Sequence, residues 1–160
     1  MRILLILISA AIISAQNQPV TTAVGQPIPF SHKLHAGVAH LKCSDCHTLA
    51  ASGEVVSIPT GKTCMNCHSQ IARNSESIKD LKSYVDETQP VPWVRVYEIP
   101  GFVEFNHKVH LDAGAKCATC HGPVATRDHL WRETDLSMGG CVNCHRTARA
   151  STNCSTCHDL

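Results

Sequence analysis

The chain has 160 residues, 14 Lys and Arg against 13 Asp and Glu, a formal charge of +1 and only 4% aromatic residues. Near-neutral charge without a basic cluster excludes the electrostatic footprint of a nucleic-acid binder. Ten cysteines alongside so few aromatics argue against a conventional hydrophobic core and for a structure imposed by cysteine chemistry.

Met1-Arg2 is a short positive start, and Ile3 to Ile13 is an apolar run broken only by Ser9 and small alanines. Ser14-Ala15 then precedes the polar Gln16-Asn17-Gln18. These are the three parts of a secretory signal, so residues 1–15 are expected to be removed after Ala15. The run is shorter than the ~20 apolar residues of a spanning helix. No later stretch could span a membrane, and no cysteine follows the run to accept a lipid. The mature chain, a single domain over 16–160, is expected in the periplasm with no membrane span.

Residues 28–74 and 103–147 read as two copies of one unit. Phe30-Ser31-His32-Lys33-Leu34-His35 matches Phe105-Asn106-His107-Lys108-Val109-His110. His32 and His107 are 75 positions apart, Cys43 and Cys117 are 74 apart, and Cys64 and Cys141 are 77 apart. Such fixed-period similarity marks a duplication. In the connector, 75–102, Ser75 is placed to cap a helix carrying Ile78, Leu81 and Val85, which Pro90 and Pro92 terminate. Trp93-Val94-Arg95-Val96-Tyr97 reads as extended, closed by a turn at Pro100-Gly101. Residues 148–160 form a tail beyond the second repeat.

Every cysteine belongs to one of five C-x-x-C-H motifs: Cys43/Cys46/His47, Cys64/Cys67/His68, Cys117/Cys120/His121, Cys141/Cys144/His145 and Cys154/Cys157/His158. This is the attachment signature of c-type haem. Two thiols form thioethers with the vinyl groups on one porphyrin edge, and the adjoining histidine becomes the proximal iron ligand. A disulfide has no use for the following histidine, and zinc sites pair two half-motifs per metal, which five motifs cannot do evenly. The expected cofactors are five covalently bound haem c. About 29 residues per haem leave the chain as a wrapper whose buried apolar surface is largely porphyrin. The fold class expected is therefore mostly irregular with short α-helices, around five close-packed haems. It comprises two duplicated units and an extra C-terminal haem. Ten propionates would make the loaded protein acidic despite its formal charge, with Lys33 and Lys108 as candidate propionate partners or as solvated lysines.

Six histidines remain for the far side of each iron: His32, His35, His40, His107, His110 and His129. The duplicated pairs His32/His35 and His107/His110 supply one distal ligand for each of four haems. The fifth is open between Met138, three residues before Cys141, and His129, with His40 a weaker candidate. A thioether ligand would raise that haem's reduction potential relative to a second imidazole.

The F-S-H-K-L-H segment followed by C-x-x-C-H resembles the class III multihaem cytochromes c. Over Val24–Arg146 the chain is similar to the pentahaem cytochrome c subunits of alternative complex III, a quinol:cytochrome oxidoreductase. The similar segments include Gly25–His32, Thr63–His68, Pro92–Tyr97, Phe105–His107, Cys120–Val124 and Leu136–Gly139. The resemblance implies electron transfer from a quinol-oxidising membrane module towards other cytochromes, without substrate chemistry in this subunit. Its serine-methionine-glycine stretch favours Met138 as the fifth distal ligand over His129. Two features depart from that family: the short, cleavable N-terminus in place of a membrane span, and Gly140 where a tryptophan is usual. The expectation is a free periplasmic electron carrier with no catalytic residues. The rivals are a haem subunit docked on a membrane quinol oxidoreductase, a reductase with an open iron and a subunit of extended haem assemblies.

Overall fold

The computed structural model describes residues 23–50 and 52–159; the expected signal segment lies outside them. Six short α-helices follow in chain order: α1 (Cys43–Cys46), α2 (Gly61–His68), α3 (Glu76–Asp86), α4 (His107–Asp112), α5 (Cys117–His121) and α6 (Met138–Ala148). A π-helical turn at Lys33–Val38 and two 3-10 turns, Val124–Thr126 and Cys154–Thr156, complete the regular structure. The described residues contain no β-strand, only an isolated antiparallel bridge between Leu49 and Val56. No helix among them is long and apolar enough to cross a membrane.

Four of the five attachment motifs are wound into α-helix and the fifth into a 3-10 turn. One turn brings the two cysteines of C-x-x-C to the same side, three residues apart. The starts of these elements are set locally. In α1 the Asp45 carboxylate accepts the Lys42 backbone N–H at 2.8 Å. In α6 the Ser137 hydroxyl accepts from Gly140 N–H at 3.2 Å. These side chains satisfy N–H groups that a helix start leaves without an internal partner. Gly140 also has no room for a side chain, since a Cβ there would lie 2.2 Å from the Asp135 carbonyl oxygen. That contact accounts for glycine at the position where the resembling family carries tryptophan.

The buried hydrophobic core among the described residues is Ile28, Leu81 and Val91, flanked by Cys64, Met65, Ile78, Tyr84 and Trp93. Helix α3 begins after Ser75 as its sequence suggests, and it buries Leu81 while packing on α2. The Ser75 side chain makes no capping bond, however, and the helix stops at Asp86, ahead of Pro90, where Thr88 turns to φ 58°. The 93–97 segment forms no strand. Instead, the Gln26 side chain pairs with the Val94 backbone, accepting at 2.9 Å and donating at 2.8 Å. The turn at Pro100 is present, closed by Val103 N–H on the Pro100 carbonyl at 2.9 Å.

The two repeats brace each other reciprocally. Lys33 N–H donates to the Arg127 carbonyl and Lys108 N–H to the Gly53 carbonyl, both at 2.9 Å. Each histidine-bearing segment thus lies against the loop that follows the first motif of the other repeat. The π-helical turn packs on the Val124–Thr126 turn so closely that a Cβ on Gly37 would sit 2.3 Å from the Ala125 carbonyl oxygen. Gly37→Ala should therefore lower the stability of the loaded protein by about 1–3 kcal/mol in thermal unfolding, as overpacking generally does. Gly25→Ala, with nothing within 4 Å of the added carbon, should be nearly silent in the same measurement.

Candidate haem-binding sites

In both repeats the histidine pair is built by the same local geometry. Ser31 Oγ accepts Leu34 N–H at 3.0 Å, and Asn106 Oδ1 accepts Val109 N–H at 3.1 Å, so a polar side chain opens each helical turn. The turn then sets its two histidines three residues apart on one face. Phe30 lies edge-on to His32 at 4.8 Å and stacks on His35 at 4.5 Å. Phe105 repeats this with His107 at 4.7 Å and His110 at 4.5 Å. The phenylalanine that opens F-x-H-x-x-H is thus a wedge that orients both imidazoles, a role the motif alone does not disclose.

Three of these histidines face motif histidines. The ring centres of His32 and His47 are 6.4 Å apart and nearly parallel, at 6°. His35 and His68 are 5.9 Å apart, as are His110 and His145. With a metal–nitrogen bond of about 2 Å and a ring centre roughly 1.2 Å behind the nitrogen, two imidazoles on opposite sides of one ion have centres about 6.4 Å apart. The observed separations fit an iron held between each pair. His107 lies close enough to His121 to disfavour its protonation, though no ring contact joins the two. No three His, Cys, Asp or Glu side chains converge as a metal cluster among the described residues. Two imidazoles facing each other is an axial-ligand arrangement and differs from a closed zinc site.

The tautomers point the same way. Backbone carbonyls can only accept, so an Nδ1 held against one carries the proton and leaves Nε2 bare for a metal. His47 Nδ1 donates to Ser57 O at 2.8 Å, His68 Nδ1 to Ile71 O at 2.9 Å and His145 Nδ1 to Ser151 O at 2.6 Å. His158 Nδ1 donates to Phe102 O at 3.3 Å. On the other side, His35 Nδ1 donates to Ser31 O at 2.9 Å, His107 Nδ1 to Glu54 O at 2.7 Å and His110 Nδ1 to Asn106 O at 2.8 Å. His121 is positioned differently, with the Tyr97 ring edge-on at 4.6 Å. The Tyr97 hydroxyl lies 3.3 Å from the His121 and Trp131 carbonyls and accepts Glu133 N–H at 3.3 Å. Here the connector contributes a direct brace to a site residue as well as packing.

Burial, with His47 and His35 nearby, pushes His32 down to about 4. Burial, then His107 and His47, lowers His121 in the same way. Both are thus held as neutral imidazoles, the form that binds a metal. Burial raises the thiols of Cys46, Cys64, Cys117, Cys120 and Cys141. An uncharged thioether at those positions avoids the cost that a thiolate would meet there. When bound, haem c would supply one-electron redox chemistry, and the residues here would hold it and tune its potential.

The fifth motif is set apart. Phe102 stacks on His158 at 6.0 Å, and Glu104 N–H donates to the Cys157 carbonyl at 2.9 Å. Met138 is the first residue of α6 and is 69% exposed. His129 is exposed beside Asp128 and makes no ring contact with His158; exposed His40 takes a positive φ of 56°. The structure brings neither Met138 nor His129 against His158. Lys33 pairs with Asp128 at 3.4 Å and Lys108 with Asp112, so each lysine has a carboxylate partner within the chain. Trp131 carries the Arg127 guanidinium over its ring at 4.5 Å, and Trp93 packs on the small core.

Comparison with known proteins agrees with this chemistry. Residues 9–91 match the model of the class III cytochrome c family, and residues 103–159 match that of cytochrome c7 and related cytochromes c. The chain is 28% identical over 160 residues to the multihaem cytochrome c subunit of menaquinone reductase from Nitratidesulfovibrio vulgaris, covering 83% of this chain and 76% of that protein. It is 26% identical over 149 residues to the high-molecular-weight cytochrome c of the same organism, covering 75% of this chain but only 27% of that protein. With a family model spanning more than half its length and the expected attachment chemistry in place, the chain belongs to the class III cytochrome c family, as a multihaem electron-transfer protein with covalently bound haem c.

Proposed function

We propose that this protein is an exported pentahaem electron carrier that passes electrons between redox partners in the periplasm. The observation that carries this reading is the facing of His32, His35 and His110 with His47, His68 and His145 at 5.9–6.4 Å. In this reading all ten motif cysteines form thioethers, and His47, His68, His121, His145 and His158 are proximal ligands. His32 serves the first motif, His35 the second, His107 the third and His110 the fourth. The matching geometry around Phe30 and Phe105 supports a duplicated four-haem body with a fifth haem at the C-terminus. No step in this function needs a general acid or a nucleophile.

Met138 is the proposed distal ligand of the fifth haem, with His129 the alternative. Met138 lies one helical turn before Cys141 in α6, and the Cys141 thiol senses the charge of Cys157. Met138→Ala should abolish a methionine-to-iron charge-transfer band and convert one haem to high spin, while His129→Ala leaves the spectrum unchanged. The reverse result would transfer the role to His129.

A second reading has a specific observation behind it. A relative of which this chain covers 76% is a subunit of menaquinone reductase, so the protein could work docked on a membrane quinone oxidoreductase. Affinity purification from membranes solubilised in mild detergent distinguishes the two. Recovery of integral subunits in fixed stoichiometry supports the docked subunit, and recovery of the haem protein alone from the soluble fraction supports the carrier.

A further inference from the structure

The reciprocal bracing of the repeats orders the attachment sites in space, and that order is not the order of the sequence. His32 and His35, one helical turn apart, face His47 and His68, so the first and second motifs are neighbours. His107 and His110, likewise one turn apart, make neighbours of the third and fourth. A single loop joins these two halves. Ser57 O in that loop holds His47, and Glu54 O holds His107. The Cys43 and Cys117 thiols lie within hydrogen-bonding reach of each other. The first and third motifs therefore meet at the centre. The fifth follows the fourth, because Ser151 O holds His145 only three residues before Cys154, and Cys141 lies near Cys157.

The remaining cysteine neighbours agree. Cys46 senses Cys67, Cys64 senses Cys46, and Cys120 senses Cys144. Among the described residues, no ring contact or hydrogen bond joins Cys64–His68 to the third, fourth or fifth motif.

We infer that the five haem attachment sites form one unbranched row in the order second, first, third, fourth, fifth motif, with the second and fifth motifs as its ends. The inference rests on the pentahaem reading. Its consequence is that donor and acceptor dock at opposite ends. One end is formed by α2 and α3, the other by the C-terminal turn with Phe102. The first and third motifs, although each opens a repeat, are interior. The fifth motif extends only one arm of an otherwise two-fold arrangement, and this gives the row distinguishable ends.

The test is a two-dimensional NOE spectrum of the fully reduced, diamagnetic holoprotein, with each haem assigned through its thioether cysteines. The same sample is counted by pyridine haemochrome. Cross-peaks between haem substituents are expected for the pairs second–first, first–third, third–fourth and fourth–fifth only. A cross-peak joining the second motif to the third or fourth, or the fifth to the first, with five haems counted, would overturn the row and leave the carrier reading standing. Fewer than five haems would overturn both. The variant Cys64→Ser with Cys67→Ser removes an end of the row, so the other three cross-peaks should persist in a four-haem protein. Their rearrangement would count against the proposed order.

Discussion

Produced without haem attachment, the chain should stay largely unfolded, with little helical signal in circular dichroism and no cooperative thermal transition. Its buried hydrophobic residues are only Ile28, Leu81 and Val91 among those described, while large apolar side chains such as Leu34, Val38, Phe102 and Val109 are exposed. Burying one such side chain contributes roughly 1.5–3 kcal/mol, whereas fixing each residue's backbone costs about 1–2 kcal/mol. Three buried side chains cannot order a chain of this length. The helices cannot help, because the longest, α3 and α6, have 11 residues, and isolated helices below ~12–15 residues are marginal. The missing apolar surface has to come from the porphyrins. A folded apoprotein with a sharp melting transition would contradict this.

His107→Ala should have a large local effect. It removes the imidazole that Glu54 O orients at 2.7 Å and that Phe105 flanks at 4.7 Å. The expected result is a high-spin signal from one haem, roughly a fifth of the total in a pentahaem protein, together with a raised potential for that haem. Because Glu54 lies in the loop after the first motif, the variant also loosens the brace between repeats, so its melting temperature should fall. His32→Ala should give the same spectroscopic change at the first motif, where the ring now faces His47 at 6.4 Å. His40→Ala should change neither spin state nor potential. An unchanged low-spin spectrum in His107→Ala would remove this residue from the ligand set.

Much of this was legible in the sequence, because covalent chemistry fixes spacing. C-x-x-C-H specifies two thiols and an imidazole within one turn, and the structure winds those segments as turns of helix. The α3 helix was readable from Ile78, Leu81 and Val85, although its end was not. Thr88 turns the chain before either proline acts, and positive φ at a threonine has no sequence signal. The carbonyls of Ser57, Ile71, Glu54 and Ser151 that set the histidine tautomers were also hidden, since any residue carries the same carbonyl. The exchange of Lys33 with Arg127 and Lys108 with Gly53 is a long-range pairing of backbone groups and leaves no pattern to read. Gly37 and Gly140 were visible only as glycines; the contacts that require them come from distant or bent backbone.

The most direct test of the central claim is a single preparation of matured holoprotein, with haem counted by pyridine haemochrome and spin state read by paramagnetic resonance and near-infrared absorption. The account predicts five haems per chain, all low-spin, one of them with a methionine-to-iron charge-transfer band. Fewer than five haems, or a substantial high-spin signal at neutral pH, would contradict it; the latter would put an open iron and reductase chemistry in place of a carrier.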